Sequence, residues 1–193
     1  DTGYVGGAQR VLCQCAKEKM KANGQKQLAR YPDFADFDEG IFPSAQQKEE
    51  AAKLRDRLME YADKFPDNDK PLLFLQSVAG LGKTFLLGCM ARQIAEKGYR
   101  VTFLTSYELS ELFREQHMGG EKHTKKLAKA DLLIIDDLGV EPVFRNITVE
   151  YLFMVLNERC RNKKHTAVST NLTLQELQSK YGERILSRVM DKS

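Results

Sequence analysis

Short apolar runs alternate with helical patterns along the second part of the chain. The runs cover residues 72–75, 101–104, 132–135 and 166–169, and helical patterns lie between them at about 83–97, 107–116 and 147–161. Runs that are nearly all apolar are typical of strands buried on both faces, as in a parallel sheet. The order βαβαβαβ therefore predicts a three-layer α/β domain with right-handed crossovers.

A further amphipathic helix is predicted before the first of these strands. Ser44 and Gln47 have the spacing of a capping box, so the helix is expected to begin at Ser44. Apolar residues recur on one face of it, at Leu54, Leu58, Tyr61 and Phe65. We interpret this segment as a packing helix that follows an irregular lead-in over residues 1–43.

Composition places the chain among ordinary globular proteins. It has 193 residues, of which 42% are hydrophobic and 30% charged, as expected for a single domain. A net charge of +3 neither requires nor excludes nucleic acid as a partner. No apolar run approaches the ~20 residues of a membrane span, and the first residues lack the apolar core of a secretory signal. We therefore expect a cytoplasmic protein without a membrane partner.

The four cysteines do not predict a disulfide framework in a chain of this length. Cys89 and Cys160 lie in apolar helical patterns and are expected to be small core residues. Cys13 and Cys15 form a CxC pair, which is half of a tetrahedral zinc site. Two unrelated free thiols are the alternative interpretation of that pair.

A glycine-containing segment follows the first predicted strand and opens the next helix. It matches the phosphate-binding pattern GxxxxGK[ST], the Walker A loop, except that Ser77 replaces the first glycine. Glycines let backbone N–H groups approach phosphate oxygens closely, and the helix that follows adds its positive N-terminal dipole. In this pattern the lysine reaches the terminal phosphates and the threonine hydroxyl ligates Mg²⁺. The predicted nucleotide-binding residues are Ser77, Ala79, Gly80, Leu81, Gly82, Lys83, Thr84 and Phe85.

The alternative is a strand-to-helix turn that contains Gly-Lys-Thr by chance. The strand and the helix predicted on either side are the context that the phosphate-binding mechanism requires, so they favour nucleotide binding.

Polar residues end the third and fourth predicted strands. Asp136 follows the buried run at 132–135, where a Walker B carboxylate would hold Mg²⁺, and the adjacent Asp137 is placed to orient or deprotonate water. Asn171 ends the fourth strand and is predicted to contact the γ-phosphate or the attacking water, the role called sensor 1. Its alternative is a turn or helix-cap residue, with Thr173 competing for the cap.

Two groups of basic residues remain. Arg184 and Arg188 share one helix face, and either a solvated basic face or an arginine that serves a neighbouring subunit would use this spacing. The segment 117–130 carries Lys122, Lys125, Lys126 and Lys129 with only Glu121 opposing them. The segment is a candidate for contact with nucleic-acid phosphates, and a solvated basic helix is the alternative.

These segments together carry a family resemblance. AGLGKTFLL, LLIIDDLG, VSTNL and RILSRV resemble the bacterial helicase-loader AAA+ ATPases of the DnaC/DnaI type, from roughly residue 37 to the end of the chain. The resemblance implies a three-layer P-loop NTPase fold (AAA+/ASCE type) with a central parallel sheet, ATP and Mg²⁺ as cofactors, and a slow ATPase activity in isolation. It implies that Asn171 is sensor 1 and Arg188 the arginine finger, with Arg184 as the second choice.

The resemblance also implies a domain division. Residues 37–193 would form the AAA+ ATPase domain, and residues 1–36 a remnant of an N-terminal zinc module with its linker. Cys13 and Cys15 would then be a truncated half-site, with zinc bound only in a longer parent chain. The small lid segment that carries the sensor 2 arginine is expected to be largely absent.

The implied partners are the replicative helicase, single-stranded DNA and further copies of the chain through the nucleotide interface. IstB-type transposition ATPases share the same core, and the CxC pair favours the loader over them. An ATP-dependent binding module with little turnover is a third interpretation.

Overall fold

A computed structural model describes Tyr4–Val5, Val11–Leu12 and residues 28–144 and 146–190. The first two segments are short strands, β1 and β2, which pair antiparallel. Cys13 and Cys15 lie outside the described residues, so the half zinc site stays a prediction. The division at residue 37 also stays a prediction, although Leu28 and Phe34 already pack into the main core.

Four parallel strands form the central sheet: β3 (Leu72–Gln76), β4 (Val101–Thr105), β5 (Leu132–Asp136) and β6 (His165–Thr170). Their order is β3-β6-β5-β4, so β6 lies between the strand before the glycine-containing loop and the strand that ends at Asp136. All four predicted strands are confirmed. Because every pair is parallel, their carboxyl ends meet at one edge of the sheet.

Seven helices of the described residues cover the sheet or extend from it. They are α1 (Ala45–Lys64), α2 (Lys83–Glu96), α3 (Ser106–His117), α4 (His123–Lys129), α5 (Thr148–Arg161), α6 (Leu174–Tyr181) and α7 (Glu183–Val189). Two short 3-10 helices, Phe34–Asp36 and Glu39–Ile41, precede α1. The predicted start of α1 is confirmed, because the Ser44 hydroxyl accepts a hydrogen bond from the Gln47 N–H at 3.1 Å.

The core has one layer on each face of the sheet. Along β5, Leu132 and Ile134 face the layer that contains α1 and α2, whereas Leu133 and Ile135 face the layer of α3, α5 and α7. All five residues of β5 are buried, which explains why its sequence lacks the alternation of a half-exposed strand. The three-layer α/β architecture predicted from the sequence is thus confirmed.

Arg159 is a fully buried arginine on α5 that hydrogen-bonds to the end of α4 and to β6. Its Nη1 donates to the carbonyls of Leu127 (2.7 Å) and Ala130 (2.9 Å) at the end of α4, and its Nε donates to Thr166 Oγ1 at 2.9 Å. Its Nη2 donates to the His165 carbonyl. Burial lowers the pKa of Arg159 to about 10, so the side chain keeps its charge at neutral pH.

Replacing Arg159 by methionine should destabilise the fold. Arg159→Met keeps much of the side-chain length but leaves buried carbonyls without donors, so we expect a loss of about 3 kcal/mol in the free energy of unfolding. Urea unfolding followed by circular dichroism measures this. Arg161→Met, at an exposed position on the same helix, is the control and should stay within about 0.5 kcal/mol of the parent. Equal midpoints for the two variants would contradict the structural role of Arg159.

Candidate functional site

The loop between β3 and α2 has the backbone geometry that its glycines allow. Gly80 and Gly82 have φ of 90° and 74°, in the left-handed region where a side chain is strained. Gly82 is the N-cap of α2, and Lys83 is the first residue of that helix. The free N–H groups and the positive dipole of the helix N-terminus therefore face the same edge of the sheet as Asp136.

Lys83 is buried in this loop and has only neutral hydrogen-bond acceptors. Its Nζ donates to the Ser77 carbonyl and to Ser77 Oγ, both at 2.9 Å, and to Asn171 Oδ1 at 2.8 Å. Burial lowers the pKa of the Lys83 ammonium, and the negative charges of Asp137 and Asp136 oppose that shift. The unusual serine at the first position of the motif thus gives the lysine an extra acceptor.

Asp136 ends β5 beneath the loop and is almost fully buried. Thr84 Oγ1 donates to its Oδ2 at 2.7 Å, and Ser169 Oγ donates to its Oδ1 at 2.5 Å. The threonine of the glycine-containing motif and the aspartate of the third predicted strand are therefore neighbours. A hydroxyl and a carboxylate are hard oxygen donors, which is the ligand chemistry that Mg²⁺ prefers.

Asp137 adopts a left-handed backbone conformation with φ 54°. The Ser169 hydroxyl accepts from its N–H at 2.9 Å, and the Ser106 hydroxyl donates to its carbonyl at 2.7 Å. Asn171 Nδ2 donates to its Oδ1 at 3.2 Å, which places the carboxylate beside the amide at the end of β6. A non-glycine residue in this region carries a cost of about 1–3 kcal/mol, and the surrounding hydrogen bonds hold it there.

A cleft of about 340 Å³ joins these groups. Most of the predicted nucleotide-binding and catalytic residues line it together: Ala79, Gly80, Gly82, Lys83, Thr84, Phe85, Asp137 and Asn171. Ser77, Leu81 and Asp136 are not among the lining residues. The Leu81 side chain is buried and packs with Phe42 and Ala51, and Asp136 is buried beneath the loop. Asn171 does not cap α6, because the Thr173 hydroxyl accepts from the Glu176 N–H at 3.2 Å and performs that role.

Sequence reasoning gave no role to Ser169, which hydrogen-bonds to both aspartates. The sequence places Ser169 near the end of the fourth predicted strand. Nothing in the sequence indicates that its side chain points between Asp136 and Asp137. Only the pairing of β6 beside β5 brings it there.

The two candidate arginines lie away from this cleft. The Arg184 guanidinium stacks 4.0 Å from the Phe153 ring centroid, and that of Arg188 lies 6.0 Å from the same ring. Arg188 Nε also donates to Asn157 Oδ1 at 3.0 Å. Helix α7 thus packs against α5, and neither arginine is among the residues that line the cleft of its own chain.

A second and larger cleft, of about 770 Å³, lies at the opposite edge of the sheet. Lys125 and Lys129 of α4 line it with Arg100 and Lys164, which immediately precede β4 and β6. Lys126 points elsewhere and pairs with Glu121 at 2.7 Å. The structure therefore separates the four lysines of segment 117–130: Lys125 and Lys129 face the cleft, Lys126 pairs with Glu121, and Lys122 is the N-cap residue of α4 and is not among the residues that line the cleft.

The parallel sheet and the glycine-containing loop between β3 and α2 define a P-loop domain of three-layer α/β architecture. The family model described as "IstB-like ATP binding protein" matches residues 13–192, and the chain belongs to that family. The replicative helicase loader DnaC of Escherichia coli is 24% identical over 136 residues, covering 67% of this chain and 54% of that protein. A putative ATP-binding protein of insertion sequence IS5376, from Geobacillus stearothermophilus, is 28% identical over 130 residues, covering 65% of this chain and 50% of that protein.

Among solved structures, the crystal structure of the DnaC helicase loader superposes with a TM-score of 0.64 at 24% identity, over 81% of this chain and 90% of that one. At this identity the likeness establishes the fold alone. The chain spans about half the length of the curated relatives it matches. In the described part of the chain, no helix combines the length and the apolar character needed to cross a membrane.

Proposed function

We propose that this chain binds ATP with Mg²⁺ in the cleft between the glycine-containing loop and the ends of β5 and β6, and that it hydrolyses the nucleotide. The observation that carries the proposal is the hydrogen bond from Thr84 to Asp136 beneath the buried Lys83. Thr84 and Lys83 line the cleft, and Asp136 lies directly beneath it, bonded to Thr84, so two oxygen donors for a metal and one cation for phosphate are held close together. Family membership supports ATP as the ligand.

Each residue of the cleft has a distinct task in this proposal. The N–H groups around Gly80 and Gly82 bind phosphate oxygens. Lys83 gives up its hydrogen bonds to neutral acceptors and donates to phosphate oxygens instead. Thr84 and Asp136 would hold Mg²⁺, which when bound neutralises phosphate charge. The Asp137 carboxylate accepts a proton from the attacking water, and the Asn171 amide, now bonded to Lys83 and Asp137, fixes the position of that water.

Three substitutions separate these tasks. Lys83→Ala should weaken ATP binding by about tenfold or more, since a charge-assisted hydrogen bond contributes about 1.5–3 kcal/mol. Asp136→Asn should remove the gain in affinity that Mg²⁺ provides, whereas Asp137→Asn should bind normally and hydrolyse about 10²-fold more slowly. Calorimetric titration with ATP and a phosphate-release assay measure the two properties. Normal hydrolysis by folded Lys83→Ala would contradict the site, and exchanged phenotypes of the aspartates would reverse their roles.

We further propose that the protein acts with the replicative helicase. The relation to DnaC supports this, and so does the CxC pair, whereas the relation to the IS5376 protein supports a helper of transposition. Capture of purified helicase or purified transposase by the chain distinguishes the two functions. A binding module with little turnover is the other candidate, and hydrolysis assays with and without single-stranded DNA decide that point.

Arg188 is proposed to complete the nucleotide site of a neighbouring copy. Its absence from the cleft of its own chain supports a role in trans, and its anchoring by Asn157 and Phe153 gives it a defined position on α7. Self-association through the nucleotide interface is part of this proposal.

A mixing experiment tests this role. Arg188→Ala should keep its own ATP binding but lose hydrolysis in the assembly, by about 10³-fold if it behaves as other arginine fingers do. Lys83→Ala is impaired in nucleotide binding and hydrolysis but retains Arg188. Mixing the two inactive proteins should therefore restore part of the hydrolysis. Co-assembly without recovery would show that Arg188 is only a surface charge.

Single-stranded DNA is proposed to bind along the basic cleft. Lys125 and Lys129 face it beside Arg100 and Lys164, both of which also pair with Asp131, and the lining includes one acidic residue, Glu158. Four basic side chains against one acidic side chain in the lining suit a phosphate backbone.

The salt dependence of binding tests this surface. Replacing Lys125 and Lys129 by alanine should weaken binding and reduce the salt slope by roughly 0.7 for each phosphate contact that is lost. Lys126→Ala is the matched control, because that side chain pairs with Glu121, and it should change neither quantity. Fluorescence anisotropy with labelled oligonucleotides over a range of salt concentrations gives both values. An unchanged salt slope in the double variant would show that single-stranded DNA does not bind along this cleft.

A further inference from the structure

Ser169 lies near the end of β6 and hydrogen-bonds to both aspartates of the site. It is fully buried, and in the ladder between β6 and β3 it pairs with Leu75. Its hydroxyl accepts from the Asp137 N–H at 2.9 Å and donates to Asp136 Oδ1 at 2.5 Å. The Ser169 carbonyl accepts from the Leu138 N–H at 2.8 Å, which fixes the backbone on the other side of Asp137.

The direction of these hydrogen bonds follows from the chemistry of a hydroxyl. A serine has one proton to donate, and an ionised carboxylate can only accept, so the proton is directed at Asp136. The remaining lone pairs of the oxygen face the Asp137 N–H. Because Thr84 donates to the other oxygen of Asp136, the carboxylate has a hydroxyl on each side and cannot rotate without losing one of them.

We propose that Ser169 is a positioning residue for this site, and that its single hydroxyl fixes the Asp136 carboxylate for Mg²⁺ and the Asp137 backbone for the water-activating carboxylate. This inference rests on the proposed function, since it assigns Ser169 to the same site. Partners of metal ligands in other proteins commonly contribute 10–100-fold to metal affinity, because they orient the ligand. Ser169 stands in that relation to Asp136 and also holds the neighbouring residue in its left-handed conformation.

The test compares ATP binding in Mg²⁺ with ATP binding in EDTA. The dissociation constant in EDTA divided by that in Mg²⁺ gives the factor by which the metal strengthens ATP binding. This ratio can be measured without hydrolysis. In Ser169→Ala we expect this ratio to fall by about tenfold or more. Binding in EDTA should stay within about twofold of the parent, because Lys83 and the glycine-containing loop are unchanged and a twofold change is only about 0.4 kcal/mol.

Two further variants keep the experiment decisive. Ser110→Ala also removes a buried hydroxyl, one that donates to the Pro142 carbonyl in the loop after β5, but it touches neither aspartate. Its ratio should equal that of the parent, which controls for a general loosening of that loop. Ser169→Cys fills the position with a somewhat larger group that is a much weaker donor, so it leaves no cavity and should lower the ratio even if Ser169→Ala does not fold.

The possible outcomes separate this inference from the proposed function. A parental ratio in folded Ser169→Ala or Ser169→Cys would overturn the role of Ser169 while leaving the ATP site intact. An equal loss of affinity in Mg²⁺ and in EDTA would also overturn it, because the serine would then support the loop and not the metal ligand. A parent protein that binds no ATP in either condition would remove the proposed function and this inference together.

Discussion

Parallel pairing of the four central strands is the constraint on which the other features depend. It requires crossovers that place helices on both faces, so β5 is buried on both sides and its apolar residues form the centre of two core layers. It also aligns the carboxyl ends of all strands at one edge. There the chain leaves the sheet at Ser77, Asp137 and Asn171, and these polar groups come close together because the strand before Asn171, β6, lies between the strands before the other two.

The buried charged side chains at the two edges of the sheet have different kinds of hydrogen-bond partner. At the carboxyl edge, Lys83 and Asp136 are buried with neutral hydrogen-bond partners, an arrangement that a phosphate and a metal can displace or use. At the opposite edge, Arg159 donates to backbone carbonyls and a threonine, none of which a ligand would replace. The first arrangement is suited to binding, and the second joins α4, α5 and β6 permanently.

Helix α6 connects the loop after β5 to the rest of the molecule. The Tyr181 hydroxyl donates to the buried Glu141 carboxylate, whose Oε2 accepts from the Gly139 N–H at 2.9 Å. Lys180 Nζ donates to the Glu141 carbonyl at 3.1 Å. Because α7 begins directly after α6, the loop that carries Asp137 and the helix that carries Arg188 are anchored to the same short segment.

The sequence by itself determined the four strands of the central sheet, the helices between them and the main chemical groups of the site, whereas the short strands and 3-10 helices within residues 1–43 were not predicted. Apolar runs such as 132–135 are too uniform for a half-exposed strand, and the Gly-Lys-Thr segment has meaning only at a strand-to-helix turn, so local pattern was sufficient for both. The position of Asp136 after a buried strand likewise followed from order along the chain.

Only the tertiary structure decided which of these groups touch. The insertion of β6 between β3 and β5 places Ser169 against both aspartates and Asn171 against Lys83, and no spacing in the sequence encodes that order. The same holds for Thr173 as the cap of α6 and for the separation of Lys125 from Lys126, which share a helix but face different neighbours. Local patterns specify elements, whereas the contacts of a side chain depend on residues that are far away in the chain, and those contacts arise only when the elements pack.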